Sequence, residues 1–327
     1  MNHFRLPLID SSLCFPLEGY GYFVTGVLNN KNRWHTKLVC KITDEFSKDW
    51  VSTTYRQVSD YQRLIKAVNL LRRNNRLVPQ IAKLYPQHNT VICDFIGEFL
   101  SEFLLENPNC LEQSLMSVST YLESVNAINQ TPQAFTIPPT IEMIMQLPKE
   151  HLSNFDFLPK VKNILPRLEK ENVQFTYGCG VQDPHIWNFR IMETSLRPQA
   201  LTTDFDYFSD QVNYFWELGY FYATFRWLKK ASATLVKNSE NILSLIEKES
   251  LKSEFMFWLG VLSSYCGYED SLRNLAQDFN FEPLKEQYLF IRCLDNKVSC
   301  LAEKILDGKK TKKEKCNGRH NEFRGFP

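Results

Sequence analysis

No stretch of this sequence approaches the roughly 18 consecutive apolar residues that a helix needs to cross a bilayer. Charge of one sign is missing too. Thirty-eight Lys and Arg stand against 37 Asp and Glu, a net +1, so no overall field draws the chain to nucleic acid or to anionic lipid. The nine cysteines form no C-x-x-C pair and have no metal-type spacing with the six histidines, which removes a zinc framework. Several lie in apolar runs such as Leu38-Val-Cys-Lys41, as reduced core thiols do. The beginning, Met1-Asn-His-Phe-Arg-Leu-Pro-Leu-Ile9, has neither the apolar run nor the small-residue cleavage site of a signal peptide. No internal repeat is present. The expectation is a cytoplasmic protein without a nucleic-acid or membrane partner.

The sequence does have apolar and aromatic residues, 43% and 13% of the chain, enough for a well-buried core. Phe23–Leu28 and Thr36–Ile42 read as two strands of a hairpin around the turn-rich "NNKN". Between Tyr55 and Arg73, apolar side chains at Tyr61, Leu64, Ile65, Val68 and Leu71 give a one-faced helix. Thr90–Ile96 is a further strand closed by Gly97. Helices are then expected at 99–105 and 111–125, with short helices among the prolines of 129–159. Another is expected at 161–171, which Pro166 should kink or shorten. Asn188–Met192 and Gln199–Thr203 are two short strands, and helix dominates from Tyr214 to about Leu306. Within it, Phe255–Leu262 is apolar all round and belongs in the core. The basic stretch after Asp307 has no apolar periodicity and is expected to lack order.

The polar residues that interrupt this pattern suggest a chemistry. A reaction on a nucleoside triphosphate needs a cation for the phosphates, carboxylates and an amide for Mg²⁺, and a carboxylate that orients the attacking hydroxyl. Lys41 sits in the apolar strand "LVCKI". Asp183 and Asn188 lie five apart in "GVQDPHIWNFR", where the short hairpin opens, and Asp204 and Asp206 flank Phe205 just after it. If that hairpin forms, its open ends bring Asp183, Asn188 and Asp204 together. Hard oxygen donors of this kind suit Mg²⁺ rather than zinc.

These residues, in this order, resemble the aminoglycoside phosphotransferase and choline kinase-like branch of the protein-kinase-like fold. "VQDPHIWN" is similar to the family's catalytic loop H-G-D-x-H-x-x-N, and "TDFD" to its I-D-F-E/D segment. "LVCKI" resembles its phosphate-binding lysine strand and "VICDFIGE" its inter-lobe hinge. The resemblance implies an α+β, two-lobed fold. Residues 1–96 would form a small β-rich N-lobe with one helix, 97–306 a larger, mostly helical C-lobe, and 307–327 a basic tail. It implies an ATP- and Mg²⁺-dependent kinase acting on a hydroxyl of a small molecule such as an aminoglycoside, a choline-like amine or a sugar. GTP stays open beside ATP, since the hinge recognises its nucleotide through backbone.

Carried over by position, Asp183 is the catalytic carboxylate and Asn188 and Asp204 the metal ligands. Lys41 grips the phosphates with Asp60 (or, one turn earlier, the neutral Gln57) as its helix partner. Gly19 and Gly21 turn over the phosphates, and the backbone from Asp94 to Ile96 meets adenine. His185 either braces the loop or touches metal-bound groups. Two departures stand out: Val181-Gln182 replaces the loop's His-Gly, and Glu217-Leu218-Gly219 replaces a D-L-A. They motivate an alternative, a pseudokinase that keeps the fold and binds nucleotide without transfer.

Overall fold

The computed structural model describes residues 20–28, 37–72, 81–95, 97–146, 158–193, 198–202, 204–227, 248–267 and 282–321, with Leu243 and Ile246. The chain divides into two compact units, Met1–Phe103 with Trp187–Ser209, and Leu104–Ile186 with Asp210–Pro327. The sequence placed boundaries after residues 96 and 306. Here 187–209 joins the first unit, because the strand Phe189–Glu193 pairs with Glu98–Phe99.

The first unit is built on a five-stranded antiparallel sheet. β1 (Tyr22–Val27), β2 (Lys37–Asp44), β3 (Asp49–Tyr55), β4 (Ile81–Tyr85) and β5 (Thr90–Asp94) lie in the order β1-β2-β3-β5-β4. β1 and β2 form the expected antiparallel pair, with Val24 opposite Ile42 and a register shift before Gly26. Alternation along β2 turns Leu38, Cys40 and Ile42 into a core shared with Tyr22, Tyr85 and Ile92. Lys37 and Lys41 therefore share the opposite face. β3 was not legible as a strand, because its inward positions include Ser52 and Thr54 rather than aliphatic residues. The Thr54 and Thr90 hydroxyls satisfy one another at 2.8 Å, which makes their burial tolerable. Helix α1 (Val58–Leu71) buries Tyr61, Leu64, Val68 and Leu71 of the expected stripe together with Ala67, while Ile65 is half-buried. A second sheet, β10-β9-β6, joins β9 (Phe189–Glu193) to β10 (Pro198–Thr202) and to β6 (Glu98–Phe99). The β6–β9 pairing, Glu98 opposite Ile191 and Phe99 opposite Arg190, accounts for the discontinuous first unit.

Helix α2 (Leu100–Glu106) straddles the two units. The second unit then runs through α3 (Leu111–Asn126), β7 (Thr131–Ala134), α4 (Pro139–Gln146), α5 (Pro159–Lys170) and β8 (Gln174–Gly180). After β11 (Ser209–Val212) come α6 (Tyr214–Trp227), α7 (Leu251–Gly267) and α8 (Glu282–Asn321). The strands form a sheet in the order β11-β8-β7. Pro166 does not shorten α5, whose face of Val161, Ile164, Leu165 and Leu168 is fully buried and holds the helix through the missing N–H. Asp295 of α8 accepts the Val161 N–H at 2.8 Å, satisfying one of the orphan donors that begin α5. The basic segment expected to be irregular is helical as far as Asn321, consistent with the good helix propensity of lysine and glutamate.

Helices α6 and α7 make the densest contact of this unit, as the apolar 255–262 run requires. Phe255, Phe257, Leu259, Val261 and Leu262 are fully buried. A Cβ on Gly219 would lie 1.9 Å from the Phe257 carbonyl oxygen, and one on Gly260 would lie 2.0 Å from that of Trp216. The two helices approach through reciprocal glycines, so backbone rather than a side-chain tip receives any added methyl. Gly219→Ala is expected to lower the unfolding free energy by about 2–3 kcal/mol, as overpacking does. Urea denaturation checks this, and an unchanged midpoint would contradict the close approach.

Candidate active site

The sequence-selected residues fall in both units. In the second, β8 delivers the loop that begins at Gly180. Asn126 of α3 holds the strand ends by donating through Nδ2 to the Val212 carbonyl at 2.7 Å and to the Cys179 carbonyl at 3.3 Å. Glu217, in the first turn of α6, accepts the N–H of Val181 at 2.6 Å and of Gln182 at 2.8 Å, both through Oε1. Glu217 is completely buried and its Oε2 has no hydrogen-bond partner. Burial pushes its carboxyl up to about 8, against the pull of those two N–H groups. Gln182 adopts a φ of 62°, where L side chains are strained. This is the position at which the resembled loop carries glycine. The Val-Gln replacement is thus absorbed by a buried acid that clamps both residues.

Beyond the clamp, the His185 N–H donates to the Asp183 carbonyl at 2.7 Å, fixing the backbone that carries the half-buried Asp183 side chain. His185 is buried, and its ring lies edge-on to Tyr220. Both contacts suit the bracing role of the two considered. The Ile186 N–H reaches the Thr224 hydroxyl at 3.3 Å. Tyr220, Phe221 and Tyr222 are buried, so this part of the aromatic run is core.

In the first unit, β9 and β10 pair with Thr202 opposite Phe189, so Asn188 and Asp204 lie at the open end of the expected hairpin. The Thr202 hydroxyl donates to the Asn188 carbonyl at 3.0 Å and accepts the Asp204 N–H at 3.2 Å. The Asp206 N–H returns to Asp204 Oδ1 at 3.2 Å, folding D-F-D into a tight turn over buried Phe205. Arg63 of α1 donates to the Asp206 carbonyl.

The cation at this turn is Lys37. Its Nζ lies 3.1 Å from both Asp204 carboxylate oxygens and 2.6 Å from Asp206 Oδ2, with 9% of the side chain exposed. Burial pulls the ammonium's pKa down, and the two carboxylates outweigh it to hold the pKa above its ordinary value. Asp206 is raised to about 6 by burial and by Asp204, with Lys37 opposing both. Its Oδ1 is buried without a hydrogen-bond partner. Tyr55, opposite Lys37 in the β2–β3 register, is raised well above an ordinary phenol by burial, with the Asp206 and Asp204 charges adding to it.

Other selected residues lie elsewhere. Lys41 pairs with Asp49 at 2.7 Å, with a third of its side chain exposed, and its ammonium sits 4.8 Å from the Phe95 ring centre. Asp60 meets Arg63 at 3.5 Å, so the Lys41–Asp60 pair expected from sequence is replaced by two separate ones. Asp94 ends β5 and takes Lys48 at 3.2 Å. Gly21 has a φ of 79°, suited to a turn. Gly19 and Ile96 lie outside the described residues. Sequence reasoning missed Arg190, which donates to the Gly97 carbonyl at 3.0 Å and stacks 3.9 Å from the Phe99 ring centre. This buried guanidinium fixes the segment from Gly97 to Phe99, and only the β6–β9 pairing reveals it.

No family model and no curated protein matches the sequence. Solved structures do. A choline/ethanolamine kinase family protein from Mesorhizobium loti superposes with a TM-score of 0.54 at 12% identity, covering 90% of this chain and 96% of its own. The amicoumacin kinase hAmiN, in complex with AMP-PNP, Ca²⁺ and Ami, superposes with a TM-score of 0.50 at 11% identity, covering 86% and 88%. The fold is protein-kinase-like. The strand "LVCKI" that the resemblance selected for the phosphate lysine is β2, and a further strand stands between it and α1. In this protein-kinase-like chain that strand is β3, "DWVSTTY", which has no lysine. Lys37 and Lys41 both stand one strand earlier, on β2.

Proposed function

We propose that the protein is an ATP- and Mg²⁺-dependent phosphotransferase whose acceptor is a hydroxyl of a small molecule. The observation that carries the reading is the Asn188, Asp204 and Asp206 turn, where two carboxylates already enclose a buried ammonium. A donor set of hard oxygens that holds one cation, with Asp206 Oδ1 buried and unsatisfied, fits a divalent cation. Asn188 and Asp204 would hold it. Mg²⁺ there supplies charge neutralisation on the phosphate oxygens. The rest is the work of the chain. Asp183 accepts the proton of the acceptor hydroxyl and aligns its oxygen. Glu217 holds the two residues before Asp183 so that the carboxylate keeps its place. The backbone beyond Asp94 meets the purine, and the turn at Gly21 covers the phosphates.

The neighbours support this class. One is a choline/ethanolamine kinase family protein, and the other was solved with AMP-PNP, Ca²⁺ and Ami. The test is Mg²⁺-dependent consumption of ATP with amino-alcohol, sugar and aminoglycoside acceptors, beside thermal shift with ATP and Mg²⁺. Acceptor-dependent turnover is expected. Stabilisation by ATP and Mg²⁺ without turnover on any acceptor would favour the pseudokinase, and no stabilisation by any nucleotide would overturn both.

A further inference from the structure

We infer that Lys37, rather than Lys41, is the lysine that grips the nucleotide phosphates, and that Asp206 is the carboxylate that orients it. This rests on the phosphotransferase reading. The two lysines occupy one face of β2, four residues and roughly 13 Å apart along the strand. They therefore serve different places, and their partners distinguish them. The Lys41 ammonium is committed to Asp49 at the rim, a pair of half-exposed groups that belongs to the local β2–β3 surface. Lys37 carries its charge into a buried setting beside the metal-type carboxylate Asp204.

Charge counting supports the same choice. Lys37, Asp204 and Asp206 sum to −1, a poor site for phosphate. A dication on Asp204 would bring the sum to +1 and release the bonds from Lys37 to that carboxylate. The 2.6 Å contact to Asp206 would remain as a tether, with Lys37 free to donate to phosphate oxygens. Asp206 thereby takes the role that the resemblance gave to an acid on the first helix. The only acid of α1, Asp60, is paired with Arg63. Tyr55, facing the same acid, and Arg63, donating to the Asp206 backbone, keep the tether in place.

The test is isothermal titration of ATP and, separately, adenosine, each with Mg²⁺, into the full-length chain and its Lys37→Met and Lys41→Ala variants. Lys37→Met is expected to weaken ATP about tenfold or more and to leave adenosine affinity within about twofold, whereas Lys41→Ala moves neither beyond about threefold. Lys37→Arg keeps the charge and protects the test should Lys37→Met fail to fold. It is expected to lose ATP affinity severalfold with adenosine unmoved, because a planar fork cannot replace a compact ammonium between two carboxylates. The assignment is overturned if Lys41→Ala takes the larger loss, if Lys37→Arg binds ATP as the wild type does, or if adenosine and ATP weaken together. Failure of the wild type to bind ATP would instead bring down the phosphotransferase reading itself.

Discussion

Replacing Asp183 with Asn is expected to cut the rate of phosphoryl transfer about a thousandfold, within the 10²–10⁴ range of a positioned proton acceptor. ATP affinity should change by less than about threefold. Asparagine has the same shape and keeps a carbonyl oxygen, so what disappears is the capacity to take the acceptor's proton. The backbone around it should not move. The His185 N–H donates to the Asp183 carbonyl, and Glu217 grips the peptide groups of residues 181 and 182. Steady-state kinetics with the acceptor found by the panel, combined with ATP titration, separates the effects. A variant within tenfold of the wild-type rate would remove Asp183 from the chemistry. A parallel loss of ATP binding would reassign it to nucleotide binding.

The second large effect concerns Glu217. With its carboxyl raised to about 8 from an ordinary value near 4.5, the folded chain binds this proton more tightly than the unfolded chain. The resulting stability is fully present below about pH 4.5 and is lost as pH rises through 8. Over that window the loss is about 5 kcal/mol. Glu217→Gln has no such titration. The stability of the wild type relative to this variant should therefore fall steadily between those pH values and level off above the upper one. Other groups cancel in the comparison. Thermal unfolding of both proteins across the range checks it, and a constant difference would mean that Glu217 is not buried as a titrating acid.

Glu217→Ala removes the acceptor from the buried Val181 N–H and the part-buried Gln182 N–H. It should cost about 2–5 kcal/mol, since each unsatisfied donor carries its own desolvation penalty. Asp183 lies one residue beyond the clamp, so transfer should slow in the same variant even where the chain remains folded. The strain at Gln182 makes this clamp more necessary than it would be above a glycine.

Both effects arise in a loop whose chemistry is readable and whose support is not. "QDPHIWN" announces an acid and an amide, because side-chain type and short spacing are printed in the sequence. That Glu217 holds this loop required α6 to fold across β8, 35 residues away. The sequence marks Glu217 only as the acid of Glu217-Leu218-Gly219 in place of a D-L-A, and neither its burial nor its two N–H partners is local.

The sequence alone determined the elements whose periodicity is local: the β1–β2 hairpin, the α1 stripe, the β9–β10 hairpin and the apolar 255–262 helix. It also placed Asn188 and Asp204 at one hairpin end, since antiparallel pairing leaves them nowhere else to go. β3 and β8 stayed hidden, the first behind inward hydroxyls and the second behind Gly178 and Gly180. Two lysines four apart on one strand face look equivalent in sequence, and only the tertiary structure shows which is buried between two carboxylates. Periodicity is set by nearest neighbours along the chain. The pairing of Lys37 with Asp204, 167 residues away, is set by the burial of charges that must be compensated wherever the fold brings them.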